Sequence, residues 1–89
     1  MVLVKRVVLD VLKPHQPNAL EFSLAIAQVG SGYLVHLKVL EMDEDTETVE
    51  VVISGSALNF DDIQAKICDL GGSLHSIDEV EVQSETDTG

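Results

Sequence analysis

The chain has 89 residues, of which 45% are hydrophobic and only 3% aromatic, so it encodes one small domain whose core is built from Val, Leu, Ile and Ala. Sixteen acidic residues against five basic ones leave a formal charge of −11, which disfavours binding to nucleic acid and to anionic membranes. Cationic partners and metal ions fit such a field better, although the same charge also serves solubility alone.

The cysteine content and the amino terminus both bear on the compartment. Cys68 is the single cysteine, so no intrachain disulfide can form, and we expect a reducing compartment with this thiol partly buried in a helix. In the segment Met1–Arg6 the charges follow the apolar residues, and no long apolar stretch comes after them. We therefore expect neither a signal peptide nor a membrane span, and a cytoplasmic protein.

The first two elements are a strand and a helix. The β-branched run from Val2 to Lys13 predicts a strand that Pro14 ends. Alternation places Val7, Leu9 and Val11 on one face and Val4, Arg6, Val8, Asp10 and Leu12 on the other. Apolar residues at spacings of three and four predict a helix from Asn18 to Val29, with Pro17 in its first turn.

A hairpin occupies the middle of the chain. Gly30-Ser31-Gly32 indicates a connector into a second strand, Tyr33 to Met42. The polar segment Asp43 to Glu47 predicts a hairpin tip, followed by a third strand from Thr48 to Ser54. Because the tip is short, these two strands should be antiparallel neighbours.

The last third of the chain repeats the helix and strand pattern. Asn59 and Asp62 resemble a helix-capping pair, and Gly71-Gly72 indicates a left-handed stop before a strand from Ser73 to Val82. We predict a single domain over residues 1–83 and a disordered acidic tail over residues 84–89.

The element order is strand, helix, strand, strand, helix, strand, which predicts an α+β ferredoxin-like βαββαβ sandwich. Its four-stranded antiparallel sheet has the order 4-1-3-2, with two helices on one face. The alternation puts further apolar residues on the face without helices: Val4, Val8, Leu12, Leu34, Leu40, Met42 and Val52. Covering such a face favours homo-oligomerisation.

Two motifs and the acidic hairpin resemble a known family. The segments VVLDVLKPH (Val7 to His15) and GGSLHSIDEV (Gly71 to Val80), with the hairpin EMDEDTETVEV, look like the archaeal domain-of-unknown-function family 211. The resemblance spans about residues 3 to 82. It implies a ferredoxin-like fold and closed ring assemblies, and it implies no established biochemical activity.

One group of polar residues is a candidate metal site. In the predicted sheet the end of strand one lies beside the start of strand four, which brings together Asp10, His15, His75, Asp78 and Glu79. Of these, Asp10, His75, Asp78 and Glu79 form the candidate ligand set, and an oxygen-rich set favours calcium or magnesium. The competing interpretation is structural: Asp78 and Glu79 turn or bulge the strand, His75 meets a backbone carbonyl, and Asp10 pairs with Arg6 or Lys13 of its own or a neighbouring subunit.

Catalysis finds little support in the sequence. Ser73 and Ser76 lie near His75, but no glycine-flanked nucleophile motif surrounds them, and we name no catalytic residue and no certain cofactor. We expect a non-enzymatic, ring-forming scaffold or a regulator that responds to a small-molecule ligand. The alternative is a protein that binds calcium or magnesium through carboxylates at subunit edges.

Overall fold

Four strands and two helices make up the computed structural model, which describes residues 1–85. The elements are β1 (Val2–Pro14), α1 (Ala19–Ala27), β2 (Leu34–Met42), β3 (Thr46–Ser54), α2 (Phe60–Asp69) and β4 (Ser73–Ser84). The strands form one sheet of order β2-β3-β1-β4 in which all neighbours are antiparallel. The predicted ferredoxin-like α+β fold is confirmed.

The last strand extends further toward the carboxyl terminus than predicted. Strand β4 continues two residues past Val82 to Ser84, because Ser84 still pairs with Val2. The disordered tail was predicted for residues 84–89, and residues 86–89 lie outside the described residues. Neither helix in the described part of the chain is long and apolar enough to cross a membrane.

The core lies between the helices and the two central strands. Three buried pairs face the helices across β1 and β3: Val7 with Ile53, Leu9 with Val51, and Val11 with Val49. Four buried helix residues cover these pairs: Phe22, Ile26, Ile63 and Ile67. Helices of nine and ten residues are marginal in isolation, so their stability comes from this packing.

Both helices begin at a capping asparagine. The Asn18 side chain accepts a hydrogen bond from the Glu21 amide, and the Glu21 carboxylate accepts one from the Asn18 amide, which completes a capping box. Helix α1 therefore starts after Asn18 and leaves Pro17 outside its first turn, contrary to our expectation. It also ends at Ala27, two residues early. The predicted cap of α2 is confirmed, because Asn59 accepts from the Asp62 amide.

The cysteine is not partly buried as predicted, because the Cys68 thiol is exposed. The buried stripe of α2 consists of Ile63 and Ile67, four residues apart. Cys68 follows Ile67 directly, and a step of one residue turns the side chain about 100° away from that stripe.

Irregularities in the strands change which residues share a face. Between Val4 and Arg6 the pairing of β1 with β4 shifts by one residue at Lys5, and Val4 packs against the core on the helix side. A similar shift at Leu40 in β2 makes Met42 the partner of Glu47, which also lies on the helix side. Our placement of Val4 and Met42 on the face without helices is therefore wrong.

The exposed apolar surface is consequently distributed differently from our prediction. On the face without helices, Val8 is only 2% exposed, because its own chain covers it. Leu12 and Leu34 on that face are 42% and 68% exposed. A further exposed apolar row lies on the helix side of the edge strand β4, where Ile77, Val80 and Val82 are 51%, 59% and 55% exposed. Their register partners Leu9, Val7 and Val4 point toward the core, which fixes the side.

Gly71 and Gly72 connect α2 to β4 for two different reasons. Gly71 has φ 85°, the left-handed conformation in which glycine is favoured. At Gly72 the constraint is space, because an added Cβ would lie 3.0 Å from Ile67 Cγ2, 3.1 Å from the Ile67 carbonyl oxygen and 3.3 Å from Phe22 Cζ. These neighbours are a buried side chain, a backbone atom and a buried ring.

We expect Gly72→Ala to lower the free energy of unfolding by about 1–3 kcal/mol, because the new methyl group overpacks the core where α2 ends. Urea unfolding followed by circular dichroism measures the change. The control is Ser73→Ala, the next residue, whose side chain is exposed. Equal stability of Gly72→Ala and the wild type would show that the close approach at this glycine is unimportant.

Candidate functional site

Two members of the predicted metal set, Asp10 and His75, lie together on the face without helices. His75 Nδ1 is 3.1 Å from Asp10 Oδ2, and the two side chains are 78% and 24% exposed. Asp10 pairs in register with Ser76, and the pairing of β1 with β4 then shifts at His75. This irregularity places the imidazole beside Asp10 instead of on the strand's regular alternation.

The Asp10 carboxylate is only half satisfied. Its Oδ1 atom is buried and has no hydrogen-bond partner within the described residues. An unsatisfied buried acceptor costs about 1–3 kcal/mol, and more when it carries charge. Asp10 and His75 also line a cavity of about 330 Å³ together with Leu12 and Thr48, so this part of the sheet has both polar and apolar walls.

The other two members of the set have different partners. Arg6 Nη1 donates to Glu79 Oε1 at 3.0 Å, and Ser76 Oγ donates to Asp78 Oδ1 at 2.7 Å. A second shift in the pairing of β4 falls at Asp78, as the structural interpretation expected of a bulge. That interpretation also paired His75 with a backbone carbonyl and Asp10 with Arg6 or Lys13. Within one chain Asp10 pairs with His75 instead, and a pairing of Asp10 with a neighbouring subunit stays a prediction.

The predicted calcium or magnesium site stays a prediction. Within residues 1–85, no group of three or more His, Cys, Asp or Glu side chains is placed to hold one ion. Asp10 and His75 offer at most two ligands, whereas calcium and magnesium take about six or more. A site built on this pair would need ligands from water or from a second molecule.

His15 does not join Asp10 and His75 as predicted. The chain turns after Pro14, and the imidazole lies against the hairpin between β2 and β3. It is therefore on the side of β1 where β3 lies, whereas His75 is on the side where β4 lies. His15 Nδ1 is 2.9 Å from Glu47 Oε2, and Nε2 is 2.9 Å from the carbonyl oxygens of both Asp43 and Glu44. His15 therefore connects the loop after β1 to the hairpin tip.

Glu47 also binds a buried lysine. Lys13 Nζ donates to Glu47 Oε1 at 3.1 Å and to the Pro14 carbonyl oxygen at 2.8 Å, and its side chain is fully buried. The ammonium lies 5.7 Å from the centre of the Phe22 ring. A buried ammonium is tolerated only when it is paired and hydrogen-bonded, and Glu47, Pro14 and Phe22 supply those contacts.

The electrostatics of this cluster, Lys13, Glu47 and His15, follow from its geometry. The hydrogen bond with His15 lowers the pKa of the Glu47 carboxyl, burial opposes that change, and Lys13 adds to it. In turn, the hydrogen bond with Glu47 raises the pKa of His15, and the carbonyl oxygens of Glu44 and Asp43 raise it further. One carboxylate is thus shared between the ammonium of Lys13 and the imidazole of His15.

We did not predict this cluster from the sequence, because we placed Glu47 in the hairpin tip and not in the third strand. In the structure β3 already begins at Thr46, and the tip consists of residues 43–45. The alternation of residues along β1 and β3 contains the signal that would have indicated this cluster. Lys13 continues the core-facing row of β1 after Val11, and Glu47 precedes Val49 in the corresponding row of β3, so the two charges meet in register.

A larger, open groove lies away from both polar groups, between α2 and β4. It measures about 410 Å³ and is lined by Asp61, Gln64, Ala65, Ile67, Cys68 and Leu74. It offers apolar contact surface, but its polar side chains are exposed and converge on no common point.

We expect Asp10→Val to raise the free energy of unfolding by about 1 kcal/mol, because it removes a buried oxygen without a partner and the exposed pair with His75 contributes little. Thermal and urea unfolding measure the change. Glu50→Val is the matched control, since Glu50 pairs with Asp10 in register on the same face. A destabilised Asp10→Val protein would mean that the carboxylate is satisfied in solution.

Comparison with known proteins agrees with the fold and the motifs. Residues 5–86 match the DUF211 family, described as uncharacterized ArCR. A relative from Methanocaldococcus jannaschii, the uncharacterized protein MJ0319, is 46% identical over 77 residues, which cover 86% of this chain and 79% of the relative. The resemblance read from the segments Val7 to His15 and Gly71 to Val80 is confirmed, and the chain belongs to the DUF211 family.

Proposed function

We propose that the protein is a non-enzymatic scaffold whose copies join edge to edge into a homo-oligomer. The observation that carries the proposal is that the two edges of the sheet, β2 and β4, complement each other on both faces. The outer backbone groups of an edge strand are unpaired, so they are available to a further strand. The two edges also run in opposite directions, so copies in the same orientation would continue the antiparallel sheet.

On the helix side both edges are apolar. Strand β4 presents Ile77, Val80 and Val82, each more than half exposed. Strand β2 presents Val35, Leu37 and Val39, which pair in register with buried core residues of β3. Burying half of each β4 side chain would contribute about 2–4 kcal/mol in total before the entropic cost of association.

On the face without helices the two edges differ in charge. Strand β4 presents Glu79 and Glu81, whose register partners are Val8 and Arg6. Strand β2 presents Lys38 and Glu41, whose register partners are Glu50 and Thr48. Joining two β4 edges would bring like charges together, whereas joining β4 to β2 offers the β4 carboxylates the ammonium of Lys38.

Contact between unlike edges is heterologous, so it leaves one free edge at each end until a ring closes. The ring assemblies implied by the family resemblance fit this arrangement. The cavity formed by Asp10, Leu12, Thr48 and His75 opens on the face without helices, where its polar and apolar walls suit a small ligand. The lining residues belong to β1, β3 and β4, so a bound ligand would contact all three strands, and a response to it would be transmitted through them.

We expect the protein to be oligomeric at micromolar concentration and Lys38→Glu to weaken the assembly at least tenfold at low salt, because an acidic side chain would then face the acidic β4 edge. Glu81→Lys should weaken it in the same way, and the double variant should restore it. Sedimentation velocity or mass photometry across a dilution series measures the affinity.

Lys66→Glu is the matched control, because it makes the same charge change on α2 and not on an edge strand. A stable wild-type monomer at micromolar concentration would refute the proposal. Failure of the double variant to recover, with each single variant folded by circular dichroism, would refute the pairing of β2 with β4.

The alternative function, binding of calcium or magnesium, draws on the half-satisfied carboxylate of Asp10. It predicts binding heat and a higher melting temperature at millimolar calcium or magnesium, both lost in Asp10→Asn. Calorimetry on chelator-stripped protein makes the measurement, with Asp61→Asn on α2 as the control. The absence of heat and of any melting shift in the wild type would exclude this function.

A further inference from the structure

The loop after β1 and the tip of the β2–β3 hairpin are connected through one imidazole. Both ring nitrogens of His15 face acceptors only: Nδ1 faces the Glu47 carboxylate, and Nε2 faces the carbonyl oxygens of Asp43 and Glu44. A neutral imidazole carries one N–H group and one lone pair. Only the doubly protonated ring can donate to both sides at once.

Each neutral tautomer loses one half of the bridge. With the proton on Nε2, the lone pair of Nδ1 points at the carboxylate of Glu47. With the proton on Nδ1, the lone pair of Nε2 points at the carbonyl oxygens of Asp43 and Glu44. Either arrangement replaces a hydrogen bond by repulsion between lone pairs, so the contact depends on the charge of the ring.

We propose that His15 is a protonation-dependent latch, whose imidazolium holds the hairpin tip to the body of the protein and releases it when the ring loses a proton. The groups around the ring support this role. Glu47 of β3 attracts the charge directly, Lys13 of β1 acts on it only through Glu47, and Glu21 of α1 is engaged with Asn18. The tip itself adds the carboxylates of Asp43, Glu44 and Asp45.

Release is local because Glu47 keeps a second partner. When His15 is neutral, Lys13 still pairs with Glu47 inside the core, so neither buried charge is left alone. What is lost is the bridge between the loop and residues 43 and 44. The latch thus frees an acidic three-residue tip at the end of β2 while the sheet stays intact.

The direction of the pH dependence follows from linkage. The pKa of His15 is raised above its ordinary value of 6.5, so the stabilisation of the tip is fully present below pH 6.5 and is lost as the pH rises through the raised pKa. The pKa of Glu47 is lowered from 4.5, so its contribution is present above pH 4.5 and is lost as the pH falls through the lowered value. The latch is therefore strongest between pH 4.5 and pH 6.5.

Nuclear magnetic resonance of the whole chain tests the latch through the titration of its histidines. Following the Cε1 proton of each histidine from pH 5 to 9 should give His15 a midpoint above 6.5, and Glu47→Gln should lower that midpoint. A wild-type midpoint at or below 6.5 would overturn the proposal.

Amide hydrogen exchange tests whether the tip is released. After correction for intrinsic rates, protection at Asp43, whose amide donates to the Thr46 carbonyl, should be constant below pH 6.5 and then fall. The total loss should be about tenfold for each pH unit by which the His15 midpoint exceeds 6.5.

Two glutamine variants separate the latch from general effects of pH. His15→Gln should abolish the pH dependence of protection at the tip while core amides of β3 stay protected. His36→Gln, on the exposed face of β2, should leave the dependence unchanged. A tip that keeps its pH dependence in His15→Gln, or a wild-type tip with no dependence, would overturn the proposal whether or not the protein is oligomeric.

Discussion

The buried ion pair between Lys13 and Glu47 is the constraint on which the arrangement of the sheet depends. It ends the row of apolar pairs that joins β1 to β3, and both partners come from the same alternation that supplies the core. Sliding β3 by two residues so that Val49 takes the place of Glu47 would preserve the faces but would leave Lys13 opposite an apolar residue, with its charge buried and unpaired. That cost favours one register among those that the apolar pattern alone permits.

The same pair explains why the hairpin and the loop after β1 meet. Glu47 has two oxygens, one taken by Lys13 and the other by His15, so a core contact continues outward to the surface. The imidazole of His15 also holds the hairpin tip, because its Nε2 atom contacts the backbone carbonyl oxygens of Asp43 and Glu44. A titratable contact is therefore attached to a buried ion pair of the core, which is the arrangement a local switch needs.

Strand irregularities decide what the surface offers to partners. Single-residue shifts at Lys5, Leu40, His75 and Asp78 reverse the local alternation, and they bring His75 to Asp10 and Met42 to the helix side. Part of the apolar surface that remains exposed lies on the helix side of β4, at Ile77, Val80 and Val82. An edge strand with one apolar side and one acidic side favours a partner edge with an apolar side and a cation, and β2 of another copy offers its apolar side and the ammonium of Lys38. Assembly through unlike edges is the function that we propose for this member of an uncharacterised family.

The sequence by itself determined the order of elements, the antiparallel sheet of order 4-1-3-2, the asparagine cap of α2 and the family. These features depend on local periodicity, on capping side chains and on short connections, all of which can be read along the chain. It also indicated that Asp10 and His75 approach each other, because the register of β1 and β4 follows from the topology. Only the tertiary structure decided that Lys13 and Glu47 are buried partners, that His15 faces the hairpin, and that Val4 and Met42 lie on the helix side. The physical reason is that a one-residue bulge reverses every later position in a strand, and that a charge is stable in a core only when a residue distant in sequence neutralises it.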